Sequence, residues 1–335
     1  FEAVIPPILT DPGIDALMVL FAQPIVADAE DVATAVVRAA RTVPHDKPIV
    51  ASMISADGTP AALLAADSPV TPFAYPESAA RALGFAAARR AWLRRPAGTV
   101  PTLDVDAPAG RAVVEAVLAS TDDAWLDPLQ TADLLQAFGV PLAPGIVCDD
   151  LAAAIAAAEN LGYPVVVKTA APGVHKTESG GVAVDLTDEA AVSEAVTRIG
   201  TPVLVQPMLE GGVELLAGVV QDPVFGPLVA FGAGGVMAEL IGRTGFRIAP
   251  LTDLDAEELV DEGPAGRLVR GFRGPALDAT ALTDLILRLS ALADAIPELA
   301  ELDLNPVLGF PEGCVAVDAR VRVRRPPPSL SLKGW

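Results

Sequence analysis

The residues of this chain best suited to chemistry gather in short stretches that pair a charged or nucleophilic side chain with glycines or oxygen donors. Lys168 ends an otherwise apolar run, PVVVK at 164–168. A lysine there either reaches solvent or projects its ammonium past a sheet edge into a cleft, where it meets a phosphate as a point charge. The next segment, PGVHKTESGGV at 172–182, tilts the reading toward phosphate. Gly180 and Gly181 lack side chains, so their backbone N–H groups can wrap an anion. Lys176 adds charge. His175, one of 2 histidines, titrates close to neutral pH and carries a nucleophilic ring nitrogen. The same glycines also suit a plain hairpin loop with an exposed histidine.

Further along, VLVQPMLEGGVE at 203–214 reads as a strand entering a turn. In a cleft, Gln206 and Pro207 would border a purine and Glu214 would accept from ribose hydroxyls; otherwise the stretch is a polar strand edge. The glycines of GPLVAFGAGGVMAE at 226–239 offer backbone to phosphate, and Arg243 and Arg247 follow, either at that site or on the surface. ELDLNP at 301–306 and GFPEGCVAVDAR at 309–320 form the most specific pair. Strand alternation puts Glu301, Asp303 and Asn305 on one face, and a turn at Pro311-Glu312-Gly313 brings Asp318 beside them. Asn305 and Asp318 then supply hard oxygens of the kind magnesium takes, water and phosphate providing the rest. A solvated hairpin face is the alternative.

The elements that must hold these residues are legible as alternating strands and helices. Strands are expected at 15–21, 49–54 and 72–74, with helices following Asp28, near 61–66 and from Glu77 to about Trp92. That alternation implies an open parallel sheet of flavodoxin-like type over 1–97. Residues 94–110 are rich in proline and glycine without periodicity, so 98–122 reads as a linker. Helices at 127–138 and 150–161 stop at Gly139 and Gly162. Strands at 164–168, 181–186 and 203–206 flank a helix at 188–199. Leu282, Leu285, Ile286, Leu289 and Leu292 share one face of a helix at 280–294. The tail, 326–335, reads as disordered.

Composition narrows the partners. The chain carries 23 Lys+Arg against 43 Asp+Glu, a net charge of −20, which argues against nucleic acid because a phosphate backbone demands a basic footprint. No run reaches the ~18 apolar residues of a membrane helix, so no membrane is expected. Cys148 and Cys314 have neither disulfide-framework nor zinc spacing, and a reducing cytoplasm is the expected compartment. The first residue is Phe, without a signal-peptide pattern, and the chain is expected to begin inside a longer polypeptide.

With these residues in hand, 123–325 resembles the ATP-grasp module of ADP-forming acetyl-CoA synthetases, relatives of succinyl-CoA synthetase. The match runs in order through LLQAFGVP, LGYPVVVKTAAPGVHKTESGGV, VLVQPML, FGAGGV, FRIAPL, GFRG and ELDLNPV with VDAR. Residues 1–97 resemble, through DPGIDALMVL, KPIV and PESAARAL, the CoA-ligase domain of the same enzymes. The fold implied is α/β, a partial flavodoxin-like domain followed by a two-lobed α+β ATP-grasp domain. The activity implied interconverts acyl-CoA, ADP and phosphate with acid, CoA and ATP, a phosphohistidine passing its phosphoryl group to ADP.

Carried onto this chain, Lys168 and Lys176 would touch nucleotide phosphates, with Gly180, Gly181 and Gln206 also at the nucleotide. Glu214 would meet the ribose, Asn305 and Asp318 the Mg2+, and His175 would relay phosphate. The CoA-binding and phosphohistidine-bearing domains would lie in the same polypeptide or a partner subunit, and an oligomer is compatible with the family. The sequence departs from the family pattern at Arg243, where relatives carry an acidic residue. It also lacks the glycine-rich start of the CoA-ligase domain. Two other roles fit the same fold: the regulatory synthetase-like region of a protein lysine acetyltransferase, and a nucleotide-sensing scaffold without turnover.

Overall fold

The computed structural model describes residues 1–172, 180–235 and 244–325. They divide into two compact units, Phe1–Pro96 and Ala97–Trp335. In the first, α1 (Ile5–Thr10), β1 (Leu17–Ala22), α2 (Ala29–Ala40), β2 (Ile49–Ile54), α3 (Ala61–Leu64), β3 (Val70–Pro72) and α4 (Pro76–Arg94) follow one another. The strands pair in parallel in the order β1-β2-β3. Strand–helix alternation demands this, since parallel neighbours need a crossover between them. Asp28 caps α2 through the Glu30 N–H at 2.7 Å, and Ala33, Val36, Val37 and Ala40 bury one face of that helix against Val19, Ile49 and Ala51.

The second unit runs α5 (Ala107–Leu118), β4 (Asp123–Trp125), α6 (Pro128–Ala137), β5 (Ile146–Cys148), α7 (Leu151–Leu161), β6 (Val165–Thr169) and β7 (Val182–Leu186). It continues with α8 (Glu189–Ile199), β8 (Val203–Pro207), β9 (Val213–Asp222), β10 (Gly226–Ala233), β11 (Thr244–Ile248), α9 (Asp253–Asp261) and α10 (Gly263–Val269). Last come α11 (Ala279–Ala295), β12 (Leu299–Gly309), β13 (Cys314–Ala316) and β14 (Ala319–Arg324). Two antiparallel sheets result. The smaller has the order β5-β8-β6-β7; the larger runs β11-β10-β9-β12-β14-β4, with β13 pairing β12. Each sheet makes its own core. In the small lobe, Val165, Val167, Val203 and Val205 pack against alanines and valines of α7 and α8. In the large lobe, α11 lies on the sheet, and Leu282, Leu285, Ile286, Leu289 and Leu292 are all fully buried, the face expected from their spacing.

The stretch expected to link two domains behaves otherwise. Thr99 and Asp253 are joined by two hydrogen bonds, Asp253 N–H to the Thr99 backbone O at 2.9 Å and Thr99 N–H to the Asp253 side-chain Oδ1 at 2.8 Å. Residues 107–118 are helix α5, with Val114 and Leu118 in the large-lobe core. Composition misleads here because Pro108 sits in the first turn, where its missing N–H costs nothing, and Asp106 caps the helix through Ala109 N–H. Gly110 admits the Phe138 ring, since a Cβ there would lie 2.6 Å from Phe138 Cε2.

At the far edge of the large sheet, Asp123 receives two parallel hydrogen bonds of 2.7 Å from Arg322, and Arg320 and Arg322 lie over the Trp125 ring. The guanidinium hydrogen bond holds the Asp123 carboxyl below its ordinary value. A carboxyl depressed on folding stabilises the protein above its unfolded pKa and loses that contribution as pH falls through the folded one. Urea melts of wild type and Asp123→Asn therefore differ near neutral pH and converge below the ordinary aspartate range of ~3.9. Ile286→Ala, which opens a cavity in the fully buried face of α11, should lower unfolding stability by about 2–5 kcal/mol in the same assay.

Candidate functional site

Alternation along β6 decides where its side chains go. Val165 and Val167 turn to the helices of the small lobe, so Val166 and Lys168 face the other way. They look into a cleft of about 780 Å³ within the second unit, between the small sheet and β12 with the turn after β13. That volume suits a nucleotide-sized ligand. Val166, Val182, Val184, Met208 and Leu308 supply apolar walls, while Lys168, Gln206, Glu214, Asn305 and Asp318 all line the same space.

Lys168 is 7% exposed. Its Nζ donates to the backbone carbonyl of Val317 at 2.7 Å, from the small lobe to the large one. Val317 precedes Asp318, and its own N–H donates to Pro306 O at 3.1 Å, next to Asn305. This bond lies within the hairpin expected from the sequence, whose turn is closed by Phe310 N–H to Gly313 O at 3.0 Å. β13 pairs β12 at Val307–Gly309 and β14 pairs it at Leu299–Leu304, leaving Asn305-Pro306 and Val317-Asp318 opposed between the two pairings. Leu302 and Leu304 are buried while Asn305 is exposed, the two faces expected of ELDLN.

Gln206 is 4% exposed, and its amide Nε2 donates to Ala143 O at 3.1 Å. Glu214 stands near the start of β9, opposite Leu308. The turn after β10 crowds it: Gly234 N–H donates to Glu214 O at 2.9 Å, and Gly235 has φ +58°. A Cβ on Gly235 would overlap Glu214 Oε2, and one on Gly234 would lie 2.7 Å from Leu215 O. Gly234 is thus required by close approach to the Glu214-Leu215 backbone, and Gly235 by its left-handed φ.

Gly180 and Gly181 stand at the entry to β7, beside the Lys168 end of β6. Gly180 has φ +68° and its carbonyl accepts from Arg198, while Gly181 O accepts from Thr169 N–H at 2.8 Å. His175, Lys176 and Arg243 lie outside the described residues. Arg247 is spent elsewhere, paired with Glu262 at 2.8 Å, so of the two readings of that arginine the surface one holds. Burial pushes the Cys314 thiol up to about 11 and raises Cys148 as well; neither is poised as a nucleophile.

Lys168 faces several carboxylates around the cleft, those of Asp185, Glu210, Glu214 and Asp318. A polyphosphate entering there needs an accompanying cation to offset them. Among the described residues no group of three or more His, Cys, Asp or Glu could hold a metal. The Asn305 carboxamide and Asp318 carboxylate form a two-oxygen donor set instead. That suits magnesium, which keeps several waters and phosphate oxygens, and not zinc, which takes three or four protein ligands. The sequence showed these polar groups but not the Val317 and Ala143 carbonyls that hold two of them, because carbonyls carry no residue-type signal.

Four similarities bear on this arrangement. A model of the ATP-grasp domain (ATP-grasp_5) matches residues 117–323. ADP-forming acetate–CoA ligase I of Archaeoglobus fulgidus is 42% identical over 202 residues, 56% of this chain but 29% of that protein. The beta subunit of ADP-forming acetate–CoA ligase I from Pyrococcus furiosus is 32% identical over 206 residues, covering 57% of this chain and 89% of that subunit. Among solved structures, dinucleotide forming acetyl-coenzyme A synthetase 1 of Ca. Korarchaeum cryptofilum aligns with TM-score 0.56 and 37% identity, over 64% of this chain and 100% of that chain. That structure holds coenzyme A and Mg-AMPPCP, with a phosphohistidine segment pointing towards the nucleotide binding site. No helix among the described residues is long and apolar enough to cross a membrane.

Gly235→Ala should both strain the left-handed turn and displace the Glu214 carboxylate. A loss of stability of about 1–3 kcal/mol in urea melts is expected, whereas Gly84→Ala, where a Cβ meets nothing within 4 Å, should not destabilise.

Proposed function

The chain belongs to the ATP-grasp family, with ADP-forming acetate–CoA ligases among its relatives, and from that premise we propose that its cleft binds ADP or ATP with Mg2+ and exchanges a phosphoryl group between the nucleotide and a phosphohistidine. The overall reaction is acyl-CoA + ADP + phosphate = acid + CoA + ATP. CoA binding and acyl transfer fall to other domains, in the same polypeptide or in a partner subunit. The observation that carries this reading is the meeting of Lys168, Glu214, Asn305 and Asp318 in one cleft with apolar walls.

In this reading the base slides between Val166 and Val184 on one side and Leu308 on the other, which excludes water from one end of the cleft. Glu214 accepts from the ribose hydroxyls. Lys168 turns from the Val317 carbonyl toward the phosphates, supported by the backbone of Gly180 and Gly181 and by Lys176. Asn305 and Asp318 hold Mg2+, which when bound neutralises charge on the phosphoryl group in flight. Transfer toward ADP breaks the P–N bond of the phosphohistidine and forms a P–O bond to the terminal oxygen of ADP, the imidazole leaving with its electron pair. His175 is the proposed relay on this chain. With little covalent work asked of the protein, rate comes from positioning and charge.

Calorimetry tests the site directly. ADP should bind wild type in Mg2+, and chelating the metal should weaken binding, because the carboxylates then face the phosphates uncompensated. Asp318→Ala should abolish most of the Mg2+ benefit while leaving metal-free binding. Absence of ADP binding by wild type in either condition would overturn the proposal.

A further inference from the structure

Gln206 stands out because it lines the cleft and its amide nitrogen is tied to a backbone carbonyl of the cleft wall. Its Nε2 donates to Ala143 O at 3.1 Å. Ala143 lies in the segment that crosses from α6 to β5, and its N–H donates to Ala316 O at 2.8 Å, while Ala316 N–H returns to Pro141 O at 2.9 Å. Ala316 is the residue before Val317, whose carbonyl Lys168 holds at 2.7 Å and whose N–H holds Pro306. The Gln206 stem is itself wedged: a Cβ on Gly145 would lie 2.9 Å from Gln206 Cγ, so a side chain there would push the amide off Ala143.

We infer that Gln206 is a positioning residue for the metal-bearing end of the cleft, acting through Ala143 and Ala316 to set the place of Asp318. The inference rests on the nucleotide reading of the cleft and changes the part Gln206 plays in it, from contacting the base to aligning a metal ligand. The Lys168 ammonium holds Val317 directly, and the Gln206 amide reaches the preceding Ala316 through Ala143, so both ties act on the two residues before Asp318. Lys168 is drawn toward phosphate when nucleotide enters. Gln206 is not, because it is 4% exposed and its amide is held by the Ala143 carbonyl. It therefore keeps the Asp318 segment in register while the lysine changes partners. Groups that orient a metal ligand from behind are worth about 10–100-fold in metal affinity.

The test is ADP titration by calorimetry on the whole chain, in chelator and at stepped Mg2+, for wild type and Gln206→Met. Methionine keeps the length of the side chain and removes the donor. The expected result is metal-free ADP affinity within twofold of wild type and a rise of about tenfold or more in the Mg2+ concentration that gives half of the tightening. Gln206→Asn, which keeps an amide but draws it back by one methylene, should show the same Mg2+-selective loss if the methionine variant does not fold. Equal loss of ADP affinity with and without Mg2+ would make Gln206 a nucleotide contact and overturn the inference, as would an unchanged Mg2+ dependence. Failure of wild type to bind ADP at all is a separate result, which removes the reading of the cleft itself.

Discussion

A lysine ammonium almost shut off from water must find oxygen, because an unpaired buried charge costs several kcal/mol. In this chain the Lys168 ammonium meets the Val317 carbonyl, and the bond crosses from one lobe to the other. The strand that carries Lys168 belongs to the small sheet, the carbonyl to the turn between β13 and β14 of the large one. Their meeting fixes the width of the cleft at its polar end and sets Asp318 one residue from a buried cation. The opposed Asn305-Pro306 and Val317-Asp318 pairs, joined by the Val317 N–H to Pro306 O bond, then stand where the cleft floor is made.

That arrangement answers an electrostatic difficulty set by composition. A chain of net charge −20 repels polyphosphate at long range, and the cleft wall adds carboxylates of its own. In the nucleotide reading proposed above, local positive charge would come from Lys168, from backbone N–H groups and from a metal that Asn305 and Asp318 would hold. Part of the remaining acid is structural. Asp28, Asp106, Asp127, Asp150, Asp188 and Asp278 each cap a helix with a side-chain hydrogen bond, a role worth about 1 kcal/mol apiece.

Among the described residues, backbone oxygens of the large lobe serve as partners for the rest of the unit: the Ala143 N–H donates to Ala316 O and the Lys168 ammonium to Val317 O. Backbone partners of this kind tolerate change in residue type while holding position closely. The side chains facing the ligand space, in contrast, are few and specific. A site built this way separates the groups that would do chemistry from the groups that keep them in place.

The periodic elements were legible in the sequence because their patterns report burial directly. The leucine face of α11, the PVVVK strand with its lysine on the cleft side and the two faces of ELDLN follow from periods of 3.6 and 2. The polar groups that line the cleft were also legible, from residue type and from order along the chain. Helix α5 was not, because Pro108 in its first turn and the proline- and glycine-rich stretch before it hide its periodicity, nor was the hold on Gln206 and Lys168. Those depend on carbonyl oxygens that every residue carries alike, so no spacing in the chain announces them. Residue types determine which side chains can bind phosphate and metal. Only the packing of one sheet against another decides which backbone oxygens stand behind them, because hydrogen bonds between residues 149 and 63 positions apart exist once both lobes have formed.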